Sequence, residues 1–294
     1  MEKVPPTSTR NPYLCPMPEV AKTNSLKISK TLDFGVYLDG AELGEILLPK
    51  RYVPNGAKEG TEVEVFLYYD SEDRLIATTE KPLAQAGEFV LLQAVDITPN
   101  GAFLNWGLPK DLFVPFREQQ PAMEEGKYYV VYVFTDGENG RPLASARVDR
   151  FLNKEELPFE QGQEVDVLVV RNTELGYKCV VNNTNSGILY HNEVFQPLQA
   201  GLRLKAYVSS VREDGRLDLI LHKPGYEKVT DLGSQILGTL RNNKGFLPLS
   251  DKSPAEEIYT QFSVSKKTYK KAIGALFRER KILIEENGIR LAVN

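Results

Sequence analysis

The sequence predicts a mainly β protein in which three small barrels follow one another and a small α+β domain ends the chain. Three observations predict this fold class. A pattern of short apolar strands recurs three times between residues 26 and 225, and helical periodicity is nearly absent from that stretch. From residue 226 the pattern changes to amphipathic helices followed by a hairpin.

Each copy of the repeat has a glycine beside a short strand, a second strand, a long β-rich strand, and an arginine after an acidic or glycine turn. The glycine and arginine of the three copies are Gly35 and Arg74, Gly101 and Arg141, and Gly176 and Arg216. About five short strands with turns between them suit a small barrel, which leaves no free sheet edge. We therefore expect barrels arranged as beads in series, joined at Pro82, at 152–158 and at 224–225.

The predicted domain boundaries follow from these joints and from the composition. They are a flexible N-terminal arm at 1–23, barrels at 24–82, 86–152 and 158–225, and a C-terminal domain at 228–294. The arm is rich in proline and has neither the apolar core nor the cleavage site of a signal peptide. Together with low cysteine use, this predicts a cytoplasmic protein.

The C-terminal domain is predicted to contain three helices followed by a β-hairpin, which is the order of a winged helix. Ser253 and Ser265 are the expected N-caps of the second and third helices, and 286–288 reads ENG, a hairpin turn. The third helix is expected to bury Tyr269, Ala272, Ile273, Leu276 and Phe277.

Composition excludes several classes of site. The only cysteines are Cys15 and Cys179 and the only histidines are His191 and His222, so a disulfide framework or a metal site of nitrogen and sulfur ligands is not expected. No apolar run is long enough to span a bilayer. We found no catalytic constellation, so we expect no enzyme activity, no cofactor and no metal.

Two aromatic residues bracket a glycine in the first repeat. In a five-stranded oligonucleotide-binding barrel the ligand lies across strands 2 and 3, where exposed rings stack on bases. Strict alternation would put Phe34 and Tyr37 on opposite faces, but a bulge at Gly35 would turn both outward. We therefore expect a two-ring platform, with packing in a core or between domains as the alternative.

Short segments carry a resemblance to a known family. Residues 33–38, DFGVYL, resemble the F-G-x-F/Y segment of S1 RNA-binding domains, and 44–49, GEILLP, and 187–192, GILYHN, resemble the strand that follows it. The order of units from about residue 24 to 293 resembles the conserved virulence factor B family. That resemblance implies three tandem S1-like OB-fold barrels plus a winged-helix domain, in a cytoplasmic RNA-binding protein with regulatory effects and no cofactor.

Further candidate contacts lie near the predicted platform and in the other copies. Lys50, Arg51 and Arg74 are candidates to bind phosphate, with solvated surface as the alternative. The second copy has Asn100 at the first ring position and keeps only Phe103. The third copy has Leu175 and Lys178 at the two ring positions and Tyr190 on the next strand. Phe103 and Tyr190 are therefore candidate stacking residues whose alternative role is structural.

The third helix of the C-terminal domain is strongly basic. Lys266, Lys267, Lys270 and Lys271 share one face by the three-and-four rule, whereas the whole chain has a formal net charge of −4. This face is predicted to contact nucleic acid, and a solvated face is the alternative.

These observations predict a non-enzymatic protein that binds single-stranded RNA through aromatic stacking and a basic winged helix, with a post-transcriptional regulatory role and neither a membrane nor a small-molecule partner. Duplex nucleic acid is an alternative ligand of the winged helix. The rival functions are a DNA-binding regulator that reads duplex through that helix and an RNA-processing nuclease.

Overall fold

A computed structural model describes residues 17–137, 140–153, 159–194, 197–221, 229–262 and 264–292 of the 294-residue chain. It contains three closed five-stranded barrels and a C-terminal domain of helices and a small sheet, which confirms the predicted fold class. The chain divides into two compact units, residues 1–148 with the first two barrels and residues 149–294 with the third barrel and the C-terminal domain. None of the helices among the described residues is both long and apolar enough to cross a membrane.

Barrel 1 has the strand order β1-β2-β3-β5-β4 and closes between β4 and β1. Its strands are β1 (Thr23–Leu32), β2 (Gly35–Asp39), β3 (Glu45–Pro49), β4 (Glu62–Tyr69) and β5 (Leu75–Thr78). Alternating residues such as Val36, Leu38, Ile46 and Leu48 point inward and form its core. The other face of β2 and β3 is therefore left on the outside of the barrel.

Barrels 2 and 3 repeat the same topology, because in each the third and fifth strands pair in parallel and the other pairs are antiparallel. Barrel 2 is formed by β6 (Phe89–Thr98), β7 (Gly101–Asn105), β8 (Leu112–Pro115), β9 (Tyr128–Thr135) and β10 (Pro142–Ser145). Barrel 3 is formed by β11 (Glu164–Asn172), β12 (Gly176–Val181), β13 (Asn185–Tyr190), β14 (Arg203–Val211) and β15 (Leu217–Ile220). Each copy of the sequence repeat thus corresponds to one five-stranded barrel.

The glycine that opens the second strand of each barrel is required by a close backbone approach. A Cβ atom built on Gly35 would lie 2.4 Å from the carbonyl oxygen of Leu48 on the neighbouring strand. The corresponding distance is 2.2 Å at Gly101 and 2.2 Å at Gly176. Any side chain there would force the second and third strands apart, which explains why this glycine is the clearest marker of the repeat.

Barrels 1 and 2 are not beads joined at Pro82, because they share one hydrophobic core. Phe66 and Tyr68 lie on the outer face of β4, yet each is only 2% exposed, because both are packed against barrel 2. The ring of Trp106 meets that of Phe66 edge-on at 5.6 Å between centroids. Sequence periodicity described each barrel by itself and could not show that β4 is buried on both faces.

The end of the predicted flexible arm is also part of this shared core. Ala21 is fully buried, its N–H donates to the carbonyl of Leu67, and its own carbonyl accepts from the N–H of Ala86. Residues 1–16 of the arm lie outside the described residues, as do 154–158 of the joint predicted at 152–158 and the joint at 224–225.

The C-terminal domain has the predicted order of a winged helix. Its elements are α1 (Val229–Asn242), β16 (Phe246–Leu247), α2 (Ala255–Phe262), α3 (Lys266–Arg278), β17 (Ile282–Glu285) and β18 (Gly288–Leu291). The sequence analysis missed β16, a two-residue strand that pairs with β18. It was also wrong about Phe277, which is 49% exposed, whereas Tyr269, Ala272, Ile273 and Leu276 are buried as expected.

Candidate nucleic-acid interface

The outer face of barrel 1 carries the predicted pair of aromatic rings. Phe34 is 56% exposed and Tyr37 is half-buried, and their ring centroids lie 6.5 Å apart at an interplanar angle of 87°. Val36 and Leu38, on either side of Tyr37, point into the barrel core. Both rings therefore lie outside the barrel, next to each other.

The two rings share this outer face for a different structural reason from the predicted one. The bulge lies on β1, between Ile28 and Lys30, and Gly35 pairs regularly with Leu32 and Pro49. Phe34 is in the two-residue turn before β2, so strand alternation does not govern its direction. The predicted bulge at Gly35 is wrong, although the shared outer face that it was meant to explain is present.

Basic side chains surround the two rings. Lys50 and Arg51 follow β3 and are exposed, and the N–H of Lys50 donates to the carbonyl of Phe34 at 2.9 Å. Lys30 is directly opposite Tyr37 in the pairing of β1 with β2 and is also exposed. Sequence analysis missed Lys30 because its direction depends on the bulge that precedes it.

The guanidinium of Arg74, by contrast, already forms ion pairs with two carboxylates. Its guanidinium lies 2.7 Å from a carboxylate oxygen of Asp70 and 2.8 Å from one of Glu72. Burial works to raise the pKa of Asp70, but hydrogen bonds from the backbone and side chain of Arg74 outweigh burial and leave that pKa below its usual value. A phosphate would have to compete with both carboxylates, so phosphate binding by Arg74 stays a prediction.

The equivalent face of barrel 2 carries acidic groups. Phe103 is half-buried and lies opposite Phe113 of β8. The centroids of the two rings are 5.0 Å apart, and the ring planes are tilted by 40°. Asp96 takes the place that Lys30 has in barrel 1, opposite the ring of the second strand. Asn100 takes the place of Phe34 and likewise accepts a hydrogen bond from the residue that follows the third strand, here Phe116.

In barrel 3 the candidate ring belongs to a hydrogen-bonded group. The hydroxyl of Tyr190 donates to the carboxylate of Asp218 at 3.1 Å, and Arg212 donates to the same oxygen at 2.8 Å. Lys178, at the second ring position, forms an ion pair with Asp149. Tyr190 is thereby held by its hydroxyl while its ring is half-buried, and its role in stacking stays a prediction.

The basic face of the winged helix lies on α3 as expected. Ser265 caps the helix, because its hydroxyl accepts from the N–H of Thr268 at 3.1 Å. Lys267, Lys270 and Lys271 are exposed, and Lys266 is half-buried with its ammonium donating to the carbonyl of Lys252 at 3.3 Å. The nearest carboxylate oxygen of Asp251 is 3.9 Å from the ammonium of Lys270.

Two family models match the chain at its two ends. An S1 domain matches residues 22–80, which is barrel 1, and a CvfB-like winged helix domain matches residues 234–291. The S1 match therefore falls on the barrel that carries the outward-facing pair of rings.

Several known proteins are similar over most of their length. The chain is 28% identical to the protein YitL of Bacillus subtilis over 90% of both chains. It is 25% identical to conserved virulence factor B of Staphylococcus epidermidis, and 24% identical to that of Staphylococcus aureus, over 79% of this chain and 80% of each relative. A crystal structure of a multidomain protein with nucleic acid binding domains from Streptococcus pneumoniae has 24% identity and a TM-score of 0.40, covering 92% of this chain and 98% of that one.

The two matching domains indicate the class of ligand. The chain carries an S1 domain and a CvfB-like winged helix domain, which imply nucleic-acid binding, and its resemblance to the conserved virulence factor B family is confirmed over about four fifths of its length.

Proposed function

We propose that this chain is a non-enzymatic, cytoplasmic protein that binds single-stranded RNA and acts in post-transcriptional regulation, with the outer face of barrel 1 as its main contact. The observation that carries the proposal is the outward-facing pair Phe34 and Tyr37, which lies on β2 and the turn before it.

The geometry of the two rings suits unpaired bases. Because the rings meet edge to face, each keeps at least one face that the other does not cover, and unstacked bases of a single strand can lie against such faces. Each such stacking contact contributes about 1–3 kcal/mol and tolerates any base. Lys30, Lys50 and Arg51 supply positive charge beside the rings for the phosphate backbone. A duplex keeps its bases stacked inside, so single strands are the ligand that this face fits best.

The winged helix gives a second, electrostatic contact. Four lysines lie at the start of α3, and linking weak sites in one chain raises the overall affinity through effective concentration. We expect binding to weaken steeply as salt increases, because each neutralised phosphate releases a counterion.

Cys179 and His191 are the cysteine and the histidine within the described residues, and the surroundings of the thiol favour a non-enzymatic function. Cys179 is fully buried, and burial raises the pKa of its thiol to about 12, which disfavours the nucleophilic thiolate. The Nε2 atom of His191 lies 2.9 Å from the carbonyl oxygen of Thr173. Among the described residues, no three His, Cys, Asp or Glu side chains are grouped as metal ligands.

The proposal is tested by replacing the two rings. Phe34→Ala together with Tyr37→Ala should weaken binding of a fluorescein-labelled uridine RNA of about 12 nucleotides at least about tenfold in fluorescence anisotropy. Tyr128→Ala is the matched control, because Tyr128 is a 59% exposed aromatic residue that begins β9, a strand outside the β7–β8 face of barrel 2. An unchanged affinity in the double variant would remove the basis of the proposal.

A DNA-binding regulator is the second candidate, favoured by the lysine face of α3. Competition between single-stranded RNA and duplex DNA separates the two functions. If RNA is the ligand, unlabelled RNA should displace the labelled RNA at concentrations where duplex DNA does not. If the winged helix reads duplex, changing Lys266, Lys267, Lys270 and Lys271 to glutamate should abolish DNA binding and leave the ring-dependent RNA binding in place.

A further inference from the structure

The small sheet of the winged helix has an open edge. Its strand order is β16-β18-β17, so β18 is central and β17 lies at an edge of the sheet. Within the part of the chain that the structure describes, no other strand pairs with β17 on its outer side. Such an edge presents main-chain N–H and C=O groups that can pair with a further strand. We call the outer side of β17 the open edge.

The hydrogen bonds of β17 show which main-chain groups point to the open edge. Just before the strand, the carbonyl of Lys281 accepts from the N–H of Ala292, the residue opposite it, at 3.0 Å. The main-chain groups of an antiparallel strand alternate between its two sides. The odd-numbered residues of 281–285 therefore direct their N–H and C=O groups to β18. Ile282 and Ile284 direct theirs to the open edge.

The centre of the open edge is apolar. Leu283 is 50% exposed, and Ile284 is 38% exposed although Ile289, its partner on β18, is fully buried. Soluble proteins commonly protect an open edge with a charged residue or a proline, and residues 282–284 include neither. A strand laid along this edge would remove apolar surface from water, which favours pairing.

The two ends of the same segment carry opposite charges. It reads KILIE from Lys281 to Glu285. When this segment pairs antiparallel with its own copy about a two-fold axis through Leu283, each lysine lies opposite the glutamate of the other copy. Ile282 then lies opposite Ile284, and because both direct main-chain groups to the open edge, they can exchange two hydrogen bonds. One register therefore pairs both the charges and the main-chain groups.

The charges that already surround the two ends leave them able to form this contact. The ammonium of Lys281 lies 2.8 Å from a carboxylate oxygen of Glu279, in an ion pair between exposed side chains that contributes little. The carboxylate of Glu285 accepts from the guanidinium of Arg290 at 2.6 Å. A carboxylate offers about four lone-pair sites and an ammonium three donors, so each group can bind a second partner.

We propose that β17 pairs antiparallel with β17 of a second copy of this chain, with Leu283 on the two-fold axis, so that the two three-stranded sheets become one continuous sheet. A two-fold interface repeats every contact, and both the charge pair and the isoleucine pair therefore occur twice. Because the contact is one short strand, we expect a weak dimer with a Kd of roughly 10–100 µM.

This association does not depend on the proposed RNA binding, but it would act on it. A dimer carries two copies of barrel 1 and two winged helices. A single RNA that is long enough to reach both copies would bind more tightly through effective concentration.

Sedimentation velocity of the full chain, treated with nuclease and checked by absorbance for residual nucleic acid, tests the proposal. The average mass should rise from one chain towards two as the protein concentration increases from roughly 1 to 300 µM. Leu283→Lys, which places two like charges at the axis, should weaken dimerisation at least about tenfold. Leu202→Lys is the matched control, because Leu202 is a 42% exposed leucine of barrel 3, and it should leave dimerisation unchanged.

Charge reversal tests the register and does not depend on Leu283→Lys folding. Lys281→Glu gives a segment with two acidic ends and Glu285→Lys gives one with two basic ends, so each variant alone should dimerise about tenfold more weakly or worse. An equimolar mixture of the two variants restores opposite charges at both ends and should associate about as tightly as the wild type. A folding defect in either variant could not produce that recovery.

Several results would overturn the proposal. One is a wild-type chain that stays monomeric up to about 300 µM, which would leave the open edge to a strand of another protein. Others are equal effects of Leu283→Lys and Leu202→Lys, or a mixture of the two charge variants that associates no better than each alone. No RNA is present in these measurements, so failure of the ring variant of barrel 1 to weaken RNA binding bears only on the proposed function.

Discussion

Barrels 1 and 2 have the same strands in the same order, yet they present opposite surfaces at the same place. Barrel 1 places Phe34, Tyr37 and Lys30 on its outer face, and barrel 2 places Asn100, Phe103 and Asp96 at the equivalent positions. Asn100 and Phe103 line a cavity that barrel 1 helps to form. The barrel topology therefore supplies the site, and a few outward residues together with the neighbouring barrel decide what the site can bind.

The largest effect is expected where the two barrels are joined. Trp106→Ala should destabilise residues 17–148 by about 3–5 kcal/mol, because it empties a site that is 2% exposed and packed on Phe66. Urea unfolding followed by circular dichroism measures the change, with the exposed Tyr128→Ala as the control. If the two barrels were independent, the loss would be confined to barrel 2 and unfolding would separate into two steps.

Because barrels 1 and 2 have the same strand geometry, substitutions at their equivalent glycines should lower the free energy of unfolding by similar amounts. Gly35→Ala and Gly101→Ala should each cost about 1–3 kcal/mol or more, since the added methyl would meet a backbone carbonyl at 2.4 and 2.2 Å. Gly137→Ala, where nothing lies within 4 Å, is the control. Stability is measured by chemical denaturation of the full chain. A large cost at only one of the two positions would contradict the equivalence of the barrels.

The difference between the faces predicts an asymmetric exchange. Phe34→Asn, which gives barrel 1 the residue of barrel 2, should weaken RNA binding by about 1–3 kcal/mol, whereas Asn100→Phe should not strengthen it. The second expectation follows from the hairpin of barrel 1 and the carboxylates of Asp96 and Asp111 at that face. Fluorescence anisotropy titrations of both variants with labelled RNA measure these affinities. A gain in RNA affinity for Asn100→Phe would show that an added ring is sufficient to form a stacking platform.

The smallest effect is expected at the surface ion pairs between the barrels. The hydrogen bond from Lys110, followed by the Lys110 and Arg141 charges, holds the pKa of Asp73 below its usual value. A carboxyl with a lowered folded-state pKa stabilises the folded form above its unfolded pKa, and the stabilisation is lost as pH falls through the folded pKa. Acid should therefore destabilise the wild type slightly more than Asp73→Asn, as thermal melts between neutral and acidic pH would show.

The local patterns of the sequence determined the elements of this fold. The recurring glycines, the alternation in strands such as 35–39 and the cap of α3 at Ser265 act over a few residues, and each was read correctly from such spacings. The cap predicted at Ser253 stays a prediction. The shared outer face of Phe34 and Tyr37 was also correctly expected, although the assumed bulge at Gly35 was wrong, because the position of a bulge depends on the partner strand.

Only the tertiary structure decided which outer faces stay open. The apolar run at 65–69 ends the alternation of β4, a pattern typical of a strand buried on both faces, but it does not say what buries it. Packing between barrels depends on side chains far apart in the chain, such as Phe66 with Trp106, and on the ion pairs of Asp73. A local pattern carries no information about such pairs, so the exposed platform of barrel 1 could be expected and the cavity of barrel 2 could not.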